Sequence, residues 1–288
     1  MKRKMVIGID FSNMLFGSYY GEPLINSHGV NVNAIKGFFF KIKSLKDTFD
    51  PDYIVFAYDV ARDKTFRRKL YKHYKDHRKP KDPDILNQLQ ETSNMISLMG
   101  YPTFSHEEYE ADDILGMLSK FTYDNDMDMI MVSSDKDLYQ LINEHVYVYS
   151  IRNREIIDLD WLEDNYRLTP AQWIEYKILM GDRSDNIPGV DGVGEITALR
   201  LMQQFGSIEN VYKHLNQLKP GLKDALIRGE PNLQLTKDLV TIITDYNLIG
   251  LKMKMLEPKP KHVKSVFKTI ERLEIHSLFN IMKYSLLF

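Results

Sequence analysis

Along the first half of this chain, short apolar runs that end at an acid alternate with stretches that repeat at helical spacing. Met5-Val-Ile-Gly-Ile9 reads as a fully buried strand and stops at the polar turn Asp10-Phe-Ser-Asn13. Tyr53-Ile-Val-Phe-Ala-Tyr58 reads as a second and stops at Asp59. Met129-Ile-Met-Val132 is a third, running into Ser133-Ser-Asp-Lys-Asp137, and His145–Tyr149 is a fourth. Between them, 32–46 carries Ile35, Phe38, Phe39, Ile42 and Leu45 at helical spacing, and 84–98 reads as a helix. Ala111, Ile114, Leu115 and Leu118 form an i, i+3, i+4, i+7 stripe on another. Such alternation predicts an α/β fold with a mostly parallel central sheet flanked by helices. Ligands of such sheets lie beyond the carboxyl ends of the strands. Asp10, Asp59, Asp135 and Asp137 are therefore expected along one edge.

Beyond about residue 165 the pattern turns helical: 170–180, then the glycine-rich Ile187–Gly194, then a helix with Ala198, Leu201, Met202 and Phe205 on one face, ended by Gly206. Glu257-Pro-Lys-Pro-Lys-His262 reads as an extended linker before a last basic amphipathic helix. We expect a core over 1–165, a helical region over 166–250 and a C-terminal basic helical tail over 251–288 that packs on the core.

The 288 residues are 43% hydrophobic, enough for a real core, and contain no cysteine. That excludes disulfides, thiolate metal sites and cysteine nucleophiles. No apolar run is long enough to cross a membrane. The start Met1-Lys-Arg-Lys resembles a signal peptide, but Asp10 interrupts the apolar stretch too early. A soluble, cytoplasmic monomer is expected. The formal net charge of −2 names no partner.

The carboxylates of note are Asp10, Asp59, Glu110, Asp112, Asp113, Asp135, Asp137, Asp182 and Asp185. Singly each has an ordinary explanation, as a turn residue or a helix-dipole partner. Crowded at one edge they would repel unless something positive neutralised them. Hard divalent cations do so through oxygen ligands, and no histidine pair at zinc-like spacing competes nearby. The set suits Mg²⁺ or Mn²⁺, and its size suggests two ions.

Near-neutral overall charge hides one local excess. Residues 62–81 hold ten lysines and arginines against two aspartates, a formal +8, leaving −10 on the other 268 residues. Phe66, Tyr71 and Tyr74 are interleaved with them. Basic side chains neutralise phosphates and aromatic rings stack on unpaired bases, so Arg67, Arg68 and Lys72 are expected to contact DNA. The ordinary alternative is a solvated basic loop. His73 and His77, four apart, lack a third ligand and read as surface residues. Gly192 and Gly194 precede a helix, where backbone N–H groups can approach a phosphate closely.

These residues in this order resemble the 5′-nuclease family, which includes the amino-terminal domain of bacterial DNA polymerase I and the bacteriophage flap endonucleases. Tyr109-Glu-Ala-Asp-Asp-Ile-Leu-Gly116 is similar to its central acidic motif. Ser133-Ser-Asp-Lys-Asp-Leu138 is similar to its second, with Ser134 where glycine often stands. Gly181–Gly194 resembles the third acidic motif running into a helix–hairpin–helix, and Tyr74-Lys-Asp-His-Arg78 matches the base of a helical arch. The likeness spans roughly residues 5–250. It implies that all nine acids lie at metal positions, that Lys75 contacts the scissile phosphate with Arg78 assisting, and that Tyr74 stacks on the terminal base. It implies an arch over about 62–100, a duplex grip by Gly192 and Gly194, and K⁺ at the hairpin. The implied substrates are 5′ flaps, nicks and 5′ overhangs. With no room for a polymerase domain, a free-standing enzyme working beside a separate DNA polymerase or ligase is expected. The rival readings are a PIN-type ribonuclease and a non-catalytic, structure-specific DNA-binding protein.

Overall fold

In the computed structural model, which describes residues 2–287, the apolar runs form one six-stranded sheet. In chain order its elements are β1 (Met5–Asp10), α1 (Phe11–Tyr19), α2 (Asn33–Phe49), β2 (Tyr53–Ala57), α3 (Phe66–Leu70), α4 (Pro83–Leu98), β3 (Thr103–Phe104), α5 (Ala111–Asp124), β4 (Asp128–Val132), β5 (Val146–Ser150) and β6 (Glu155–Ile157). The strand order is β3-β2-β1-β4-β5-β6, parallel except for β6. Eight further helices follow: α6 (Leu159–Tyr166), α7 (Pro170–Met180), α8 (Glu195–Phe205), α9 (Ile208–Lys213), α10 (Pro220–Gly229), α11 (Leu233–Val240), α12 (Val263–Leu273) and α13 (Leu278–Ile281).

The central strands are apolar throughout because both faces are covered. Successive residues point to opposite sides. Val6, Val55, Ala57, Met129 and Met131 join the core under α5 and the later helices. Ile7, Ile9, Ile54, Phe56, Ile130 and Val132 join the core under α2 and α4, where Val266, Ile270 and Leu273 of α12 also pack.

From β1 the chain steps outward to β2 and β3, then crosses back through α5 to β4 on the other side of β1. That reversal leaves a crevice beyond the carboxyl ends of β1 and β4, the place where open α/β sheets bind ligands. Register keeps those ends level, with Asp10 opposite Ala57 and Ile9 opposite Val132.

Two local expectations are corrected. Asp10-Phe-Ser-Asn13 is not a free turn: Asp10 is the N-cap of α1, and its Oδ1 accepts from the Asn13 N–H at 3.0 Å. The expected arch over 62–100 is also shorter. α4 lies on the core with Ile85, Met95 and Ile96 buried, which leaves 62–82, itself anchored by buried Thr65, Arg67 and Tyr74.

The later helices are tied to the core along a seam at 239–243. Gln140 Nε2 donates to Val240 O at 3.0 Å, and the Ile242 N–H donates to Gln140 Oε1 at 2.9 Å. Gly116 of α5 faces this seam, where an added Cβ would stand 2.6 Å from Ile243 O and 2.5 Å from Ile242 Cγ2. Helix propensity alone favours Gly116→Ala by about 1 kcal/mol. Overpacking costs roughly 1–3 kcal/mol, and here a backbone carbonyl must move. We expect Gly116→Ala to be net destabilising in urea unfolding; a more stable variant would mean the seam is loose.

Candidate active site

The acids reach the crevice from five places. Asp10 ends β1, Asp59 follows β2, and Asp135 and Asp137 lie in the 3₁₀ turn after β4. Glu110, Asp112 and Asp113 start α5, and Asp182 and Asp185 lie in the turn after α7. This turn is shaped by Asp182, whose Oδ1 accepts from the Ser184 N–H at 2.7 Å and the Asp185 N–H at 3.2 Å.

The nine divide by their counter-charges. Among the described residues Asp10, Asp59, Asp112 and Asp135 have no lysine or arginine within ion-pair distance. Asp59 accepts from the Ala111 N–H at 3.1 Å and from the Ser12 hydroxyl. Asp135 Oδ1 accepts from the Asp137 N–H at 2.9 Å. Asp112 Oδ1 is buried with no hydrogen-bond partner.

The other five are paired. Glu110 accepts from Tyr74 Oη at 2.6 Å and Lys75 Nζ at 2.7 Å. Asp185 lies 3.3 Å from Lys75 Nζ and also accepts from Arg78. Lys177 Nζ sits 2.6 Å from Asp137 Oδ1, off the angle of a good hydrogen bond, and donates to Asp182 Oδ2 at 2.7 Å. Asp113 receives both guanidinium nitrogens of Arg67, at 2.6 and 2.8 Å, and the Ile243 N–H at 3.1 Å.

Burial and mutual repulsion set the proton affinities. Burial, then the charge of Asp59, pushes Asp10 up to about 7. Burial, then Asp135, pushes Asp137 up to about 7 despite Lys177. Burial likewise raises Asp135, and raises Asp112 well above the usual carboxylate range. Burial opposes ionisation of Asp182 too, but Lys177 and Ser184 outweigh it and hold the group below its ordinary value. Burial disfavours the charged form of Lys75 and of Lys177, yet the paired carboxylates win and raise both.

The donor set is all oxygen, and an unpartnered buried carboxylate oxygen sits within it. That chemistry fits a hard divalent cation. Among the described residues no three of these groups converge closely enough to grip an ion as they stand. The lysine ammonium groups hold several of the oxygens instead.

The basic segment is placed unevenly. Lys72 and Arg78 are exposed, as are His73 and His77. Arg68 donates to Tyr74 O at 2.9 Å. Lys75 adopts φ +53°, a left-handed conformation costing about 1 kcal/mol or more, held by its N–H donating to Asp185 O at 2.8 Å. Two expectations fail. Arg67 is only 4% exposed, its guanidinium bound to Asp113, Leu239 O and Thr241 O, so it is a strut between core and helical region and does not face DNA. Asp113, fully buried against it, also accepts from the Ile243 and Glu110 N–H groups, each at 3.1 Å, and Arg67 reaches on to Glu110 Oε2 at 3.3 Å. Tyr74 is 2% exposed, packed with Ile178, Ile187, Leu239 and Val240, so its ring is not open to a base.

At the hairpin, residues 180–184 and 187–195 line an open groove of about 780 Å³. Gly192 has φ +81°, which favours glycine. Gly194, the N-cap of α8, has an ordinary φ of −92° and open space where a Cβ would stand. The fold does not require glycine there, so its bare backbone remains available to a ligand.

Comparison with known proteins bears on both halves. Residues 5–167 match the family model of the 5′-3′ exonuclease N-terminal resolvase-like domain, and 168–264 that of the 5′-3′ exonuclease C-terminal SAM fold. The thermostable DNA polymerase I of Thermus thermophilus is 34% identical over 277 residues, 96% of this chain and 32% of that protein. DNA polymerase I of Streptococcus pneumoniae is 35% identical over 263 residues, 88% of this chain and 30% of that protein. The chain thus spans about a third of the length of these relatives. In fold it is similar to the T5 5′-exonuclease with bound zinc (TM-score 0.69, 19% identity, 94% of this chain and 100% of that one). It is also similar to the catalytic core of Rad2 in complex with DNA substrate (TM-score 0.63, 16% identity, 97% of this chain and 91% of that one).

Two outcomes are expected. Arg67→Ala strands a buried Asp113 and should cost about 3–5 kcal/mol in chemical denaturation; a loss within about 0.5 kcal/mol, typical of surface sites, would return Arg67 to the surface. The second concerns pH. A carboxylate whose pKa is raised on folding stabilises the fold below its unfolded value, about 4, and that contribution is lost as pH rises through the folded value. For Asp10 that folded value is about 7. With chelator present, the wild-type Tm should therefore fall from about pH 5 to about pH 7.5, and Asp10→Asn should flatten the fall. Equal slopes in both proteins would contradict the assignment.

Proposed function

The chain belongs to the 5′-3′ exonuclease family, and from that premise we propose that it is a structure-specific 5′-nuclease. It would hydrolyse phosphodiesters near the 5′ ends of flaps, nicks and overhangs in DNA. The observation that carries this reading is the crevice itself: four carboxylates without a cationic partner lie where the sheet reverses, between a basic segment and a bare-backbone hairpin.

Asp10, Asp59, Asp112 and Asp135, with Glu110, Asp137, Asp182 and Asp185, are the residues proposed to hold two Mg²⁺ ions, or Mn²⁺ in their place. Divalent cations bound there supply an activated water and stabilise the leaving oxygen. The rest is work for the protein. Lys75 and Arg78, already at the rim beside Glu110 and Asp185, would turn to the scissile phosphate and stabilise the charge developing on it. Arg68 and Lys72 would neutralise flanking phosphates, a contact that fixes register without reading sequence. Gly192 and Gly194 would bring N–H groups to the duplex backbone at the start of α8, and K⁺ is the cation proposed for the same hairpin. On this reading residues 1–165 cut, 166–250 grip the duplex and 251–288 brace the core. The proposed setting is a cytoplasmic monomer whose nicks a DNA polymerase and a ligase also use.

A 5′-flap duplex incubated with Mg²⁺ tests the proposal. The wild type should release the flap. Asp135→Ala should cut it roughly a thousandfold more slowly, the scale of losing one preorganised charge, while flap binding in chelator is retained. A wild type that leaves flap, nick and 5′ overhang intact in both Mg²⁺ and Mn²⁺ would be a DNA-binding protein only. Faster cutting of a matched RNA flap would make it a ribonuclease.

A further inference from the structure

Lys177 has no place in the reading above, yet it lies at its centre. It projects from the last turn of α7 with its side chain 7% exposed, and its ammonium group bridges Asp137 Oδ1 and Asp182 Oδ2 at 2.6 and 2.7 Å. Those two oxygens belong to different elements, the turn after β4 and the turn after α7. One positive group therefore holds together two acids that would otherwise repel.

Beside Lys177 is a cavity of about 130 Å³ that it lines together with Lys136, Trp173, Tyr176, Met180 and Glu195, the Lys136 ammonium group donating to Tyr166 Oη at 3.0 Å. The Trp173 indole N–H is buried with no hydrogen-bond partner. Glu195, at the first position of α8, offers a second carboxylate to an ammonium group that leaves the first two. The side chain thus has a bound position among the acids and a place to retreat to. Among the described residues no three acids converge on an ion position as they stand.

We propose that Lys177 is a displaceable internal counter-ion, standing where a divalent cation would sit between Asp137 and Asp182, and that metal binding expels it toward Glu195. This rests on the reading of these acids as cation ligands. In the metal-free protein the lysine keeps the crevice folded. An ammonium group and a dication cannot share the same oxygens, so the lysine lowers metal affinity and sets the ion concentration at which the site fills. Its exit toward α8 couples filling of the site to the hairpin helix.

The test uses Mn²⁺ alone, without DNA, followed by calorimetry and by the electron paramagnetic resonance signal of free Mn²⁺. Lys177→Met keeps the length and removes the charge; Lys177→Gln keeps a donor without charge. Both variants should bind Mn²⁺ at least about tenfold more tightly than wild type, a difference of about 1.4 kcal/mol or more. In chelator their Tm should be lower than wild type, and Mn²⁺ should raise it more. Equal or weaker Mn²⁺ binding by both variants, with wild type binding normally, overturns the inference and leaves the nuclease reading standing. A wild type that binds no Mn²⁺ overturns the nuclease reading itself. A Lys177→Met protein that folds only when Mn²⁺ is added supports the competition; one that fails to fold even then contradicts it.

Discussion

Like charges crowded in a poorly solvated place are the constraint around which this structure is arranged. The level carboxyl ends of β1, β2 and β4 bring Asp10, Asp59 and Asp135 within reach of one another, and α5 adds Glu110 and Asp112. Burial denies these groups water, and each raises the proton affinity of its neighbours. A protein selected only for stability would place apolar or paired side chains there. Tolerating the repulsion makes sense where something positive arrives from outside, and both metal cations and a phosphate-bearing substrate answer to that.

The counter-charges that the protein supplies also join its parts. Arg67 ties the segment after β2 to Asp113 on α5 and to the carbonyl groups that end α11. Lys75 and Arg78 fasten the basic turn to the acids after α7. Lys177 links α7 to the turn after β4. The site and the junction between the sheet and the later helices therefore depend on the same ion pairs. Disturbing a pair at the site alters how the basic segment and the hairpin are held, and a rearrangement of the site on filling would be felt at α8.

Much of this was legible in the sequence because the strong signals were local. Apolar runs of five or six residues ending in acid gave β1, β2 and β4, and the reversal of strand order then placed their ends together. Other features were not legible because they depend on where a side chain points. Asp10–Asn13 carries the same local chemistry whether it closes a turn or caps α1, and the short α1 behind it shows little periodicity. Arg67 and Tyr74 lie in a run of basic and aromatic residues whose composition cannot separate a buried strut from an exposed contact. α4 has the stripe of a core helix, which its inclusion in an arch overlooked. Lys177 gave the faintest signal, a lone lysine between Tyr176 and Ile178, on the helix that also buries Trp173. A single cation on an apolar helix face five residues before an aspartate is the pattern that would have found it.

The carboxylate crevice is proposed as a cation centre that acts on DNA. Anomalous diffraction from crystals of the protein with a 5′-flap duplex and Mn²⁺ tests that most directly. It predicts anomalous density among Asp10, Asp112 and Asp135, next to the phosphate at the flap junction, with Asp113 still bound to Arg67. Ordered flap DNA on the basic segment and the hairpin, with no anomalous density among those acids, would contradict it.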